Sequence, residues 1–187
     1  GDDPAVQAWA RARDDRTRAA LDAIASRPRW HARLTELLGV GMSSSPAVAG
    51  GRTFSVDRWG GRDQAVLVER RSPTEAVGRV LLDPAELLGD ATATIDWYAP
   101  SWDGRLTAVG LSTGGSEQST LRVLDVEAGS LLDGVSIPDT RAASVAWEPD
   151  GAGFVYTRYP EGDEYRRHVR SHRLADGHDE VVLGPEE

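Results

Sequence analysis

The sequence predicts a mainly β fold, in which two N-terminal helices precede about three four-stranded antiparallel blades of a β-propeller. The main observation is a repeat. Asp103-Gly104 and Asp150-Gly151 lie 47 residues apart in similar surroundings, and Gly129 and Gly177 lie 48 residues apart at the next matching turn. A repeat of this length containing several short strands is typical of propeller blades, which must stack on neighbours to bury their faces.

The first 41 residues have helical periodicity and are predicted to form a separate helical arm, residues 1–41. Asp3-Pro4 combines a capping carboxylate with proline at the first helical position, so a helix is expected from there to about Ala25. Ser26-Arg27-Pro28 restarts a second helix, and the glycines at 39 and 41 end it.

Residues 42–187 are predicted to contain the blades, because the periodicity becomes alternating after Ser43. In the first blade, strands are expected at residues 53–58, 65–70 and 79–82. Asp83 and Glu86 then form a predicted capping box at the start of a short helix, in which the Asp83 side chain caps the backbone and Glu86 answers it.

The other two predicted blades follow the repeat. Strands of the second blade are expected from residue 94, at 106–111, at 121–126 and at 131–132; those of the third are expected from residue 143, at 154–159, at 168–174 and at 180–183. Propellers close with typically four to eight blades. About three blades cannot close a ring, so the sequence predicts a slice of a larger propeller.

Composition excludes several classes of function. The net charge is −9, and all 21 basic residues are Arg, without a clustered basic face, so a nucleic-acid partner is not expected. No apolar run approaches 18 residues, so no membrane partner is expected either. The absence of Cys is compatible with a cytoplasmic location, which is the predicted one.

Ser112 lies in a Gly-x-Ser-x-Gly match, residues 110–114, that resembles the nucleophile elbow of α/β-hydrolases. That elbow requires a strand before the serine and a helix directly after it. Here a strand pattern follows at residues 120–124, so the segment is interpreted as a hairpin loop. No catalytic residue is predicted in the chain.

His168 and His172 are four residues apart, which suits zinc only on a helix. On a strand the same spacing separates them by about 13 Å, too far to share a metal. No metal site and no cofactor are predicted in the chain. Trp97 and Trp147 are predicted to occupy equivalent inter-blade packing positions. The charged loop at residues 159–165 either lines an opening or is a plain surface loop.

Three stretches carry a resemblance to a known family. In order and spacing, residues 80–88, 101–117 and 146–160 resemble the opening of the prolyl oligopeptidase family of serine peptidases, and the helical segment is similar to the family's N-terminal arm. The resemblance covers nearly the whole chain.

The resemblance implies a parent enzyme in which a seven-bladed propeller covers an α/β-hydrolase domain. In that family a Ser-Asp-His triad of the hydrolase domain cleaves short peptides after proline, and the propeller acts as a size filter. By resemblance, the partners are short peptide substrates, the missing blades and the hydrolase domain, against which the arm packs. The triad would lie beyond residue 187, so this fragment alone is not expected to be catalytic.

Three questions stay open at the level of sequence. Many family members have an aromatic residue where this chain has Ala142; either the alignment slips there or the pocket is more open. Relatives such as oligopeptidase B share the architecture but prefer basic residues. A non-catalytic propeller that serves as an interaction module is the alternative function.

Overall fold

The computed structural model describes residues 3–72, 74–163 and 165–184. The chain divides into two compact units, Gly1–Gly41 and Met42–Glu187. The first unit contains helices α1 (Pro4–Asp22) and α2 (Arg27–Leu38). The Asp3 carboxylate accepts the N–H of Ala5 at 2.7 Å, as the capping pattern predicts. Neither helix buries a residue in the described chain, and Trp9 and Trp30 are each about 60% exposed.

The second unit contains three antiparallel sheets. The first sheet consists of β1 (Met42–Ser43), β2 (Ala47–Ala49), β3 (Arg52–Arg58), β4 (Val66–Arg70) and β5 (Arg79–Leu82). The last three strands confirm the predicted blade. Both β1 and β2 pair with β3 and were missed, because Ser44, Ser45 and Pro46 interrupt the alternating pattern between them.

A short helix, α3 (Pro84–Leu88), follows the first sheet. The Asp83 carboxylate accepts the N–H groups of Ala85 and Glu86, which confirms one half of the predicted capping box. The other half is wrong, since Glu86 returns no hydrogen bond to Asp83 within the described residues. Asp83 instead forms an ion pair with Arg62.

The second and third sheets have the simple four-stranded order of a blade, in which each strand pairs with the next along the chain. The second sheet contains β6 (Thr94–Pro100), β7 (Leu106–Ser112), β8 (Thr120–Asp125) and β9 (Ser130–Ile137). The third contains β10 (Val145–Trp147), β11 (Gly153–Arg158), β12 (His168–Arg173) and β13 (Asp179–Leu183). These bounds confirm the predicted strands to within a few residues, except that β9 runs longer.

The repeat has a physical basis in the two Asp-Gly turns. In each turn the glycine N–H donates to the carbonyl three residues earlier at 2.9 Å. Each aspartate also accepts the N–H two residues later, at 3.0 Å for Asp103 and 2.9 Å for Asp150. Gly104 and Gly151 adopt φ values of 68° and 72°, a region that favours glycine. The same local chemistry therefore produces the same turn in both blades.

Two hydrophobic clusters hold the three sheets together. The cluster between the first two sheets contains Phe54, Leu67, Leu81, Leu82, Ile95, Val109, Leu111, Leu124 and Val126. The cluster between the second and third contains Ala108, Leu121, Val123, Val135, Ile137, Trp147, Phe154 and Tyr156. Each fully buried large side chain contributes about 1.5–3 kcal/mol of transfer free energy, so these seams are the core of the unit.

Main-chain contact also joins the first two sheets. The N–H of Gly50 donates to the carbonyl of Trp102 at 3.1 Å. A Cβ atom on Gly50 would lie 1.9 Å from the Asp103 carbonyl oxygen, and one on Gly104 would lie 2.6 Å from the Ala49 carbonyl oxygen. Both positions therefore require glycine for close approach as well as for their positive φ.

Connections between strands alternate between the two ends of each sheet, because neighbouring strands are antiparallel. One end of the unit collects the connections 59–65, 83–93, 113–119, 138–144 and 159–167, which we call the connection face. Hydrogen bonds from Gly114 N–H to Thr92 Oγ1 and from Thr140 N–H to the Ser119 carbonyl link these connections across blades. The connection face is where a candidate site occurs.

Candidate functional site

The connection face contains a cavity of about 550 Å³ between the second and third blades. Three connections line it: the β7–β8 loop, the segment between β9 and β10, and the β11–β12 loop. Its lining residues are Gln118, Asp139, Arg141, Tyr159, Pro160, Gly162, Asp163 and Tyr165. We call this space the inter-blade cavity.

The segment between β9 and β10 is firmly held. Thr140 is fully buried, and both its N–H and its hydroxyl donate to the Ser119 carbonyl, at 3.0 and 2.9 Å. The indole N–H of Trp97 donates to the Thr140 carbonyl at 3.0 Å, and the N–H of Tyr159 donates to the Asp139 carbonyl at 3.0 Å. One wall of the cavity is therefore tied to β6, to the β7–β8 loop and to the third blade.

Backbone strain is concentrated at the same place. Within the described residues, the non-glycine residues with positive φ are Glu117 (57°), Asp139 (61°) and Ala142 (45°). All three lie in connections that border the inter-blade cavity. Such conformations cost about 1–3 kcal/mol each and persist only where the surrounding contacts enforce them, often at functional sites. Asp139 lies two residues before Arg141, and Ala142 lies directly after it.

The two aspartates of the cavity already have partners. Asp139 pairs with Arg158 at 3.4 Å. The backbone N–H of Tyr165, the guanidinium of Arg166 and the N–H of Arg166 all donate to Asp163, and they lower its pKa to about 2. Both carboxylates are thus occupied by donors from the protein. Arg141 is different, since its closest carboxylate, that of Glu117, lies 3.9 Å away.

Ser112 is the last residue of β7, and a turn through Gly114 and Gly115 follows it rather than a helix. Its side chain is buried and donates to Asp96 at 3.0 Å. In the described chain no serine hydroxyl forms a hydrogen bond with a histidine ring. The Gly-x-Ser-x-Gly match is therefore a hairpin element, as predicted.

His168 and His172 both lie on β12 and are buried, as the strand interpretation predicts. His172 packs against the Phe154 ring at 5.2 Å and contacts Asp179 through Nδ1 at 3.1 Å. Asp179 also accepts the Tyr156 hydroxyl at 2.7 Å and pairs with Arg170. No cluster of three or more candidate metal ligands occurs within residues 3–72, 74–163 and 165–184.

Trp97 and Trp147 do not occupy equivalent positions, so that prediction is wrong. Trp97 faces Gly110 across its strand pair, three residues before the end of β6, whereas Trp147 ends β10 and faces Phe154. The predicted inter-blade role is nevertheless correct for both. Trp97 bonds to the segment entering the third blade, and the indole N–H of Trp147 donates to Ala99 of the second blade at 2.9 Å.

The loop at residues 159–165 lines the inter-blade cavity, which decides between its two sequence interpretations. Tyr159 also lies under the guanidinium of Arg167, 4.8 Å from the ring centroid. Sequence reasoning missed Gln118, Asp139 and Arg141. The order of the antiparallel strands could have indicated these residues, because it places the connections that contain them at the same end of the sheets.

Comparison with known proteins identifies the family. Residues 1–187 match the family model described as the prolyl oligopeptidase N-terminal β-propeller domain. The chain belongs to the prolyl oligopeptidase family. Prolyl endopeptidase of Elizabethkingia meningoseptica is 26% identical over 191 residues, which cover 96% of this chain and 26% of that protein. Prolyl oligopeptidase A of Amanita bisporigera is 33% identical over 100 residues, covering 48% of this chain and 13% of the relative.

The fold comparison agrees with the family assignment. A solved structure from a study of two prolyl endopeptidases, concerned with inter-domain dynamics in catalysis and specificity, superimposes with a TM-score of 0.84 at 29% identity. The match covers 97% of this chain and 28% of the solved one. The three sheets are thus blades of a prolyl oligopeptidase propeller. The matches cover between 13% and 28% of the length of these relatives.

In the part of the chain that the structure describes, no helix is long and apolar enough to cross a membrane.

Proposed function

We propose that the chain is the N-terminal propeller portion of a serine endopeptidase that hydrolyses short peptides after proline, with the propeller gating substrate access. The observation that carries this proposal is the family match over residues 1–187. It is supported by relatives named prolyl endopeptidase, one of which aligns with 96% of the chain. The catalytic Ser-Asp-His triad would belong to a hydrolase domain encoded after these blades.

The inter-blade cavity supports the gating part of the proposal. It opens at the connection face, where the segment 138–144 and the β11–β12 loop meet. A peptide that approached this face would meet tyrosine rings, a proline and charged groups, the combination of apolar surface and a few polar groups that ligand pockets use.

The test begins with the parent open reading frame. We expect it to encode further blades and a strand-serine-helix elbow followed by an aspartate and a histidine. The purified full-length product should cleave a Gly-Pro reporter peptide, and replacement of the elbow serine by alanine should abolish cleavage. A parallel reporter with arginine before the scissile bond separates proline preference from basic preference. Absence of the elbow, or cleavage only after arginine, would contradict the proposal.

A non-catalytic interaction module is the second candidate, and the helices favour it. Trp9 and Trp30 are largely exposed on α1 and α2, and neither helix contains a buried residue in the described chain. Contiguous apolar patches on a surface mark sites where another protein binds, and these helices expose apolar side chains that such a partner would cover. A full-length product that is inactive on both reporters but retains a stable protein partner in a pull-down would favour this alternative. We also propose a cytoplasmic location, on the grounds that the sequence has no Cys.

A further inference from the structure

The backbone around Arg141 is held by contacts of its neighbours, whereas the Arg141 side chain has no strong partner among the described residues. Ala142, directly after Arg141, and Asp139, two residues before it, adopt positive φ, and Thr140 between Asp139 and Arg141 is buried and donates twice to the Ser119 carbonyl. The backbone under Arg141 is thus determined by contacts with other connections. A side chain projecting from such a support loses less conformational entropy on binding than one on a mobile loop.

The Arg141 guanidinium is available for a ligand. It forms no hydrogen bond to any residue that the structure describes, and its ion pair with Glu117 spans 3.9 Å between two largely exposed groups. That distance is longer than the 2.7–3.2 Å of a hydrogen bond, and exposed pairs contribute about 0–1 kcal/mol. A carboxylate from a ligand could therefore displace Glu117 at little cost.

The carboxylates that line the cavity and could otherwise pair with Arg141 are already bound to other donors. Asp139 pairs with Arg158, and Asp163 accepts three donors that lower its pKa to about 2. Arg141 is consequently a charged lining residue whose donors form no hydrogen bond within the described residues, and its planar guanidinium matches a carboxylate with two parallel hydrogen bonds. Tyr159 and Tyr165 line the same cavity, and the largely exposed Tyr165 ring offers a surface for the apolar part of a peptide.

From this arrangement we propose that Arg141 is a specificity residue that binds a carboxylate of a peptide in the inter-blade cavity. The carboxylate belongs either to the C-terminus of the peptide or to an acidic side chain, since the guanidinium recognises both by the same chemistry. This inference rests on the proposed function, because it assigns the ligand class as peptide.

The experiment measures direct binding to the 187-residue chain and needs no catalysis. Three N-acetylated pentapeptides containing Gly-Pro are titrated by isothermal calorimetry. The first has a free C-terminal carboxylate, the second a C-terminal amide and no carboxylate, and the third a C-terminal amide and one glutamate. We expect one or both acidic peptides to bind at least about tenfold more tightly than the neutral amide. Comparison of the first and third peptides identifies the source of the carboxylate.

Variants locate the effect. R141Q should reduce the affinity for the acidic peptides about tenfold to the level of the neutral amide, and Arg141→Lys should retain only part of it, because lysine keeps the charge but loses the planar donor pair. Arg105→Gln is the matched control, since Arg105 is an exposed arginine in the Asp103-Gly104 turn, at the other end of the sheets. Circular dichroism spectra of the variants should match that of the unsubstituted chain.

Equal binding of the acidic and neutral peptides, absence of binding to all three, or an equal loss in Arg105→Gln would each overturn the proposal. None of these results would contradict the proposed peptidase activity, which is tested separately by the reporter assay on the full-length product. Conversely, a full-length product without post-proline activity would leave a carboxylate-dependent interaction at Arg141 measurable.

Discussion

The indole N–H of Trp147 donates to the backbone carbonyl of Ala99 at 2.9 Å, so a side chain of the third blade satisfies a main-chain acceptor of the second. Trp102 returns a similar bond, from its own indole N–H to the Trp147 carbonyl at 3.0 Å. The two bonds run in opposite directions across the same seam. They fix the second and third blades relative to each other beyond what apolar packing supplies.

Substitution of Trp147 by phenylalanine should lower the free energy of unfolding by about 2 kcal/mol, because it leaves the Ala99 carbonyl without its donor and removes buried volume. Urea denaturation followed by far-UV circular dichroism measures the change. Trp30→Phe is the control, since Trp30 is 60% exposed and its replacement should cost less than about 0.5 kcal/mol. Equal losses in the two variants would contradict the seam described above.

Gly110 should not tolerate alanine. A Cβ atom there would lie 2.2 Å from the Trp97 ring, so we expect Gly110→Ala to destabilise the chain by about 1–3 kcal/mol. In a double-mutant cycle by urea denaturation, the same substitution in a Trp97→Ala background should cost much less, because the ring is gone. Additive effects would show that the clash is not the cause.

Asp179 should make stability depend on pH in the acid range. Burial alone would raise the pKa of Asp179, but hydrogen bonds from Tyr156 and Arg170 outweigh burial and hold the pKa below the ordinary value of 3.8. The folded state therefore binds the proton less readily than the unfolded state. The stabilisation is complete above pH 3.8 and is lost as the pH falls below that value, through the folded pKa.

Thermal unfolding of the unsubstituted chain and of Asp179→Asn between pH 7 and pH 2 tests this dependence. The variant should be less stable at neutral pH, since it loses charge-assisted bonds to Arg170 and His172. The difference between the two curves should shrink towards the acid end. A difference that stays constant with pH would refute a titrating role for Asp179.

Ser112→Ala separates a structural serine from a nucleophile. The substitution removes the donor to Asp96, whose other oxygen still accepts the Ser119 hydroxyl at 2.6 Å, so we expect a loss of about 1 kcal/mol in unfolding free energy. Cleavage of the Gly-Pro reporter by the full-length product should be unchanged. Loss of that activity in a normally folded variant would mean that the hairpin interpretation of residue 112 is wrong.

The last strand of the third sheet is expected to promote self-association of the isolated chain. β13 is the terminal strand of its sheet, and Val182 and Leu183 are 59% and 69% exposed. Unpaired strand edges with apolar side chains recruit further strands. Sedimentation velocity at increasing concentration should show oligomers, which Val182→Asp reduces and Val77→Asp, placed outside the sheets, does not. A monomer at every concentration would contradict this expectation.

Most strands of the fold could be predicted because each blade follows an alternating pattern punctuated by turns whose side chains cap their own backbone. The first two strands could not, since Pro46 and two serines break the alternation and the pairing partner, β3, lies further along the chain. The supposed equivalence of Trp97 and Trp147 failed because it followed residue type instead of the 47-residue phase, which aligns Trp147 with Pro100.

The candidate site was less accessible to sequence reasoning. Gln118, Asp139 and Tyr159 are separated by about 20 residues each along the chain, and only the packing of one blade on the next brings their connections together. The availability of Arg141 is also invisible in the sequence. It depends on Asp139 and Asp163 having found other donors, which is a property of the folded arrangement.

The close approach of Gly50 and Gly104 fixes the spacing between the first two blades. Only main-chain atoms are in contact at that point. The distance between the first two blades is therefore set there by the contact of two backbones. Apolar side chains fill the rest of this seam. A larger residue at either position would force the first two blades apart. The changed angle between these blades would then displace the blades that follow.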